Sequence, residues 1–133
     1  MKVNLWVLGM VILAGCTAES LPENNSSVLE TVPAQEFRQL VDSMAERSVI
    51  LDVRRPEEFA QGYIEGAELV DFYSESFKDS IENLDRQQTY LVYCRSGYRS
   101  GVTLDMMEEA GFTSVYELDG GFNGWKANGY PVS

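Results

Sequence analysis

Short apolar runs alternate with helical periodicity along most of the chain. The runs SVILDV at 48–53, TYLVYC at 89–94 and TSVYEL at 113–118 predict buried strands. Between the runs, apolar residues recur at helical spacing over 34–47 and 100–110, which predicts two amphipathic helices. Strands that alternate with helices are typical of an α/β domain with a mostly parallel sheet and helices on both faces.

Weaker signals predict the remaining elements. A weak strand is predicted near 67–70, and a helix is marked by Phe77, Ile81 and Leu84. Short helices are predicted at 56–61 and 122–127.

The N-terminal pattern differs from the rest of the chain. Lys2 precedes an apolar run from Leu5 to Leu13, and two small residues separate this run from Cys16. The run is shorter than the ~20 residues that a membrane-spanning helix needs, so residues 1–15 are expected to be a signal peptide. An ordinary secretory signal with an incidental cysteine is the alternative.

The tetrad LAGC at 13–16 resembles the lipobox of bacterial lipoproteins, in which cleavage leaves a lipid-bearing cysteine as the first residue. This resemblance implies lipid attachment at Cys16 and an extracytoplasmic location, with membrane contact through the anchor only. The outer membrane is favoured, because Thr17 stands where an aspartate would resemble an inner-membrane retention signal. The polar residues 16–30 are expected to be a flexible tether, and residues 31–133 one domain.

Composition excludes several classes of function. The chain has 133 residues, with 21 acidic and 10 basic side chains and a net charge of −11, which argues against a nucleic-acid surface. It contains no histidine, which removes the commonest metal ligand and the usual general base. No metal or cofactor is therefore expected.

One thiol stands at a predicted strand end. With Cys16 in a thioether, Cys94 is the remaining thiol, so it has no partner for an intramolecular disulfide. Ligand sites of parallel sheets lie beyond the carboxyl ends of strands. A loop before a helix offers N–H donors that stabilise anions, here a thiolate and an anionic substrate. The alternative is a buried structural cysteine.

Three segments carry a family resemblance: ILDVRRPEEFAQGYIEGA at 50–67, YCRSGYRS at 93–100 and LDGGFNGWKANGYPV at 118–132. In this order they resemble a single-domain rhodanese. The resemblance implies a three-layer sandwich with a central five-stranded, mostly parallel sheet. It also implies that Cys94 takes a sulfane sulfur from a small anionic donor such as thiosulfate, forms a persulfide and passes the sulfur to a thiophilic acceptor.

The resemblance also assigns residues around the cysteine. The loop is expected to surround the persulfide with backbone amides, and its two arginines to contact the donor anion; these residues are Arg95, Ser96, Gly97, Tyr98, Arg99 and Ser100. Asp52 and Arg54 are expected to form a structural ion pair near the loop base, with a solvated charge pair as the alternative. Tyr63 replaces a histidine frequent in the family, which implies a changed packing contact.

The segment at 68–80 and the aromatic residues near the loop are less clearly defined by the sequence. The segment at 68–80 departs from the family pattern, so its conformation is not predicted in detail. The aromatic residues near the loop are predicted to pack in the core or at its rim, with the lining of an acceptor pocket as the alternative; they are Tyr90, Tyr93, Tyr98, Phe122 and Trp125.

Two other functions compete with sulfur transfer. Phosphatases and arsenate reductases of related folds wrap an oxyanion with a cysteine and an arginine, but here four residues separate Cys94 from Arg99, one fewer than in those enzymes. The non-enzyme alternative is a module that accepts sulfur on Cys94 for carriage or sensing without turnover.

Overall fold

The computed structural model describes Gly15 and residues 26–133. The predicted signal peptide, the lipid site at Cys16 and most of the predicted tether lie outside the described residues. Within those residues, no helix has the length and apolar character to cross a membrane.

Strands and helices alternate through the described domain. The strands are β1 (Val28–Val32), β2 (Ser48–Asp52), β3 (Glu68–Leu69), β4 (Thr89–Tyr93) and β5 (Ser114–Leu118). The helices are α1 (Ala34–Ser43), α2 (Pro56–Ala60), α3 (Phe77–Glu82), α4 (Tyr98–Glu109) and α5 (Gly121–Ala127).

The strands form one sheet in the order β1-β5-β4-β2-β3, and every neighbouring pair is parallel. The predicted α/β class and five-stranded parallel sheet are therefore confirmed. Strand β4 lies at the centre, and its residues from Tyr90 to Tyr93 are buried, as expected for a strand covered on both faces. This order brings the carboxyl ends of β2, β4 and β5 together at one edge of the sheet.

Two apolar cores flank the sheet and make three layers. On one face Val92 and Val115 pack with Met107 of α4 and Phe77 of α3. The other core is formed by buried residues of α1, α5 and the sheet, including Phe37, Leu91, Leu118 and Trp125. Both faces of the sheet are thus removed from water, which stabilises an all-parallel sheet.

The first strand was not predicted. Val28–Glu30, which the sequence assigned to the tether, belong to β1 and pair with β5 in register from Val28↔Ser114 to Val32↔Leu118. Glu30 and Thr31 are exposed, because β1 lies at the sheet edge and needs only partial burial. Backbone pairing, not an apolar run, forms this strand.

The weakly patterned segment at 68–80 has a simple conformation. Strand β3 has two residues and pairs with the end of β2 through Leu51↔Glu68 and Asp52↔Leu69. Turns at 71–76 then lead into α3, which buries Phe77 and Ile81. The weak strand and the following helix are confirmed.

Candidate active site

The thiol-bearing loop connects the central strand to α4. Cys94 follows Tyr93, the last residue of β4, and α4 begins at Tyr98. Gly97 precedes the helix with φ +116°, a left-handed conformation that a residue with a side chain adopts only with strain. Helix α4 starts two residues earlier than predicted, so the loop is a tight turn of four residues, from Cys94 to Gly97.

The sulfur of Cys94 is buried but hydrogen-bonded. The residue is 1% exposed, and its Sγ accepts hydrogen bonds from the backbone N–H of Gly97 at 3.1 Å and the hydroxyl of Ser100 at 3.3 Å. In the part of the chain that the structure describes, no backbone acceptor binds the N–H groups of Arg95, Ser96, Tyr98, Arg99 or Ser100. The two donors at Sγ favour negative charge on the sulfur, and the N–H groups without a backbone acceptor are available to an anion at the loop. Cys94 also belongs to the apolar core that includes Val92 and Met107, and the two hydrogen bonds distinguish its sulfur from one in purely apolar packing.

Two backbone hydrogen bonds from the start of α5 hold the thiol-bearing loop in place. The N–H of Phe122 donates to the carbonyl of Cys94 at 2.8 Å, and the N–H of Asn123 donates to the carbonyl of Arg95 at 3.0 Å. Gly121 has φ +57°, and a Cβ there would lie 2.5 Å from the carbonyl carbon of Arg95. The close approach therefore requires glycine, and the paired glycines at 120–121 mark it in the sequence.

Arg99 is held by a partner that sequence reasoning missed. Its Nη1 and Nη2 donate to the carboxylate of Glu58 at 2.7 and 3.0 Å. The hydrogen bonds from Arg99 are the main cause that lowers the pKa of Glu58 to about 2. The lowered pKa means that this pair stabilises the fold above the ordinary range of a glutamate, and that the contribution is lost as the pH falls toward 2. Arg99 thus ties α2 to the start of α4.

Asp52 and Arg54 form the ion pair that the resemblance implied. Both residues are buried, and Arg54 donates to Asp52 at 2.7 Å and to the carbonyl of Gly62 at 2.7 Å. Burial lowers the pKa of Arg54, but the hydrogen bond and charge of Asp52 outweigh it, so the net pKa is raised. The solvated alternative is therefore wrong. The guanidinium also lies 4.2 Å from the Phe122 ring centroid, which links the pair to α5.

A cationic cleft of about 300 Å³ lies beside the loop. Arg54, Arg95 and Lys126 contribute positive charge to its lining, against the carboxylate of Glu58. Lys126 was not identified from the sequence, because only the placement of α5 against the loop brings it here. Among the described residues, no cluster of three or more Asp, Glu, Cys or His side chains is arranged to hold a metal ion.

The aromatic residues mostly pack in the core, as predicted. Tyr90, Tyr93, Phe122 and Trp125 are at most 5% exposed. Phe122 also lines the cleft, and Tyr98 is the exception at 75% exposed. Tyr63 stacks on Phe59 with ring centroids 4.2 Å apart.

Comparison with known proteins identifies the family. The family model described as Rhodanese-like domain matches residues 33–128. The thiosulfate sulfurtransferase GlpE of Pseudomonas putida is 35% identical over 106 residues, which cover 80% of this chain and 92% of the relative.

Solved structures agree with this match. The rhodanese-like domain of an Anabaena sp. protein superposes with a TM-score of 0.67 at 27% identity, covering 77% of each chain. A Rhodopseudomonas palustris protein of unknown function, named a possible tyrosine phosphatase, has a TM-score of 0.66 at 25% identity and covers 79% of this chain and 85% of its own. The curated relatives support a sulfurtransferase of the rhodanese type in general, and the chain belongs to the rhodanese-like domain family.

Proposed function

We propose that the protein is a sulfurtransferase in which Cys94 carries a sulfur atom as a persulfide. The observation that carries this proposal is the environment of Sγ, which receives the Gly97 N–H and the Ser100 hydroxyl at the start of α4. A thiolate needs no histidine to act as a nucleophile, whereas a serine would. The absence of histidine from the chain therefore fits this chemistry.

The reaction has two balanced steps. The thiolate of Cys94 attacks the outer sulfur of thiosulfate; the new S–S bond forms as the thiosulfate S–S bond breaks, and sulfite leaves with the electron pair. An acceptor such as cyanide then attacks the outer persulfide sulfur, and the Cys94 thiolate leaves. The unused loop N–H groups face the negative charge of the persulfide in this mechanism.

Intact-mass measurement tests the reaction class. After incubation with thiosulfate, the protein should gain one sulfur atom, and cyanide should remove it with release of thiocyanate. No mass gain with thiosulfate or an organic persulfide would contradict the proposal. A gain without multiple turnovers would instead indicate the carrier or sensor module, and hydrolysis of a phosphate monoester would indicate a phosphatase.

The cationic cleft supports a small anionic donor. We expect Arg95→Ala to weaken the binding of thiosulfate about fivefold, because Arg95 is exposed and such a contact contributes at most ~1 kcal/mol. The donor dependence of the sulfur-loading rate measures this effect. Lys78→Ala is the control, since Lys78 is an exposed cation on α3 paired only with Glu82. Equal donor dependence in Arg95→Ala and wild type would remove Arg95 from the site.

The same assay distinguishes a contact between Arg99 and the sulfur donor from the ion pair that Arg99 forms with Glu58. If Arg99 binds the donor, Arg99→Ala should weaken binding by ~1.5–3 kcal/mol, about ten- to a hundredfold. Glu58→Gln removes the carboxylate charge from the pair but leaves the arginine in place. Equal losses in the two variants would show that Arg99 acts only by holding α2.

The cellular location belongs to the same proposal. The lipobox-like LAGC at 13–16 supports a lipid anchor at Cys16 and an extracytoplasmic domain. Such an anchor places the sulfur chemistry at a bacterial membrane surface, on the periplasmic side of an outer membrane where the organism has one.

A further inference from the structure

The hydroxyl of Ser100 stands between two groups that can carry negative charge. Its Oγ lies 2.5 Å from Oε1 of Glu117 and 3.3 Å from Sγ of Cys94, and the carbonyl of Gly97 is also 3.3 Å away. A hydroxyl has one hydrogen, so it donates fully to only one of these acceptors. The contact with Glu117 is the shortest of the three and lies at the short end of the O–H···O range, so one hydrogen is held between Ser100 and Glu117.

Glu117 is a buried carboxyl that the sulfur-transfer steps leave unused. It is 3% exposed on β5, with Val92 of β4 beside it on one side and Thr31 of β1 on the other. No lysine or arginine pairs with it among the described residues. Buried acids without a cation favour the neutral form.

Burial and a neighbouring negative charge both disfavour the ionised form of Glu117. Burial is the main cause that raises its pKa, the hydroxyls of Ser100 and Thr31 oppose the rise, and the charge of Asp119 adds to it. On the other side of Ser100, Arg99 at the start of α4 pairs with Glu58, and a negative charge at Cys94 would also contribute to the raised pKa of Arg99. A cation therefore lies near the sulfur, whereas none pairs with the Glu117 carboxyl among the described residues.

Only one proton arrangement satisfies the whole chain of contacts when Cys94 is an anion. With Glu117 ionised, Ser100 donates to the carboxylate, and two negative charges share a buried region. With Glu117 protonated, its hydrogen goes to Ser100 Oγ and the serine hydrogen points at Sγ. The second arrangement leaves one negative charge in the buried region instead of two, and it provides Sγ with its second donor.

We propose, on the basis of the proposed function, that Glu117 holds the proton of the Cys94 thiol through Ser100. The S–H bond breaks as its proton moves to Ser100 Oγ, and the original serine hydrogen moves to Oε1 of Glu117. Thiol and carboxylate thereby become thiolate and carboxylic acid, without net gain or loss of a proton. Glu117 is a positioning residue that acts through Ser100 and replaces the base that a histidine-free chain lacks.

The pH dependence of thiol alkylation by iodoacetamide tests this proposal. In the proposal, one proton is distributed between Cys94 and Glu117. The alkylation rate of the wild type should therefore rise once when the pair loses its first proton and again when it loses its second. Glu117→Gln should lose one of the two steps. Asp119→Asn is the matched control, since it removes a neighbouring carboxylate outside the chain of contacts, and it should keep both. A single step in the wild type, or two unchanged steps in Glu117→Gln, would overturn the proposal.

Infrared spectroscopy gives a second test that does not depend on the folding of a Glu117 variant. The C=O stretch of a protonated carboxyl is followed against pH in the wild type and in Cys94→Ser. The band should titrate at lower pH in Cys94→Ser, because this variant has no anion at position 94 to keep the acid neutral. Equal midpoints would overturn the proposal.

Neither measurement uses a sulfur donor. A two-step profile in a protein that fails to gain sulfur would reject the sulfurtransferase and keep the shared proton. Sulfur transfer with a one-step profile would support the sulfurtransferase and reject the shared proton.

Discussion

Replacing Cys94 by serine should abolish sulfur transfer and leave the fold intact. Serine is close in size, and its Oγ can accept the same hydrogen bonds from Gly97 and Ser100 that Sγ accepts. A hydroxyl at this position stays protonated, because the donors around it stabilise an anion but no histidine removes the proton. Loss of thiosulfate-dependent thiocyanate formation, with an unchanged unfolding temperature, is the expected result.

Cys94→Ala separates the chemical role from the structural one. It should lose transfer to the same extent, but be less stable than Cys94→Ser by ~1 kcal/mol, because the N–H of Gly97 loses its acceptor and the hydroxyl of Ser100 loses one of its acceptors. Denaturant unfolding measures the difference. Transfer that persists in Cys94→Ser would refute the assignment of the nucleophile.

Replacing Gly121 by alanine should damage both the fold and the site. The new Cβ would lie 2.5 Å from the carbonyl carbon of Arg95 and 2.6 Å from the carbonyl oxygen of Cys94. These atoms are backbone and cannot rotate away, and the left-handed φ of +57° adds strain. We expect a loss of about 2–4 kcal/mol in unfolding free energy. Sulfur loading should also fall at least tenfold in the molecules that remain folded.

Gly124→Ala provides the control within the same helix. Position 124 has ordinary helical backbone, and its Cβ would lie 3.7 Å from the carbonyl oxygen of Asp119. Alanine should stabilise this position by ~0.5–1 kcal/mol and leave sulfur loading unchanged. A Gly121→Ala variant that matches Gly124→Ala in both measurements would show that the loop does not depend on the close approach of α5.

Local pattern was sufficient for much of the fold. Strands β2 and β4 are short apolar runs with a continuous buried stretch, and β5 is a short strand-forming run whose burial is interrupted at Tyr116; such runs are recognisable without a structure. Strand β1 has exposed Glu30 and Thr31 at the sheet edge, so its burial pattern resembles that of a polar linker. Its pairing with β5 depends on tertiary contact, which a local window does not contain.

The contacts around Cys94 were predictable where the residues lie in one short segment. Cys94 and the donors at Gly97 and Ser100 are close in sequence, so spacing was sufficient to place them together. Glu58 and Glu117 lie 41 and 17 residues from their partners Arg99 and Ser100. Only the order of the strands and helices brings such pairs together, so each carboxylate looked like one more surface charge in an acidic chain.

The two edge strands of the sheet, β1 and β3, offer few sites for pairing with a strand of another chain. Both edges of a parallel sheet present unpaired backbone groups, which invite other chains to add strands and aggregate. Here β3 offers only two residues, and β1 presents an exposed glutamate at its middle. A short edge on one side and a charged edge on the other give a foreign strand little backbone to pair with.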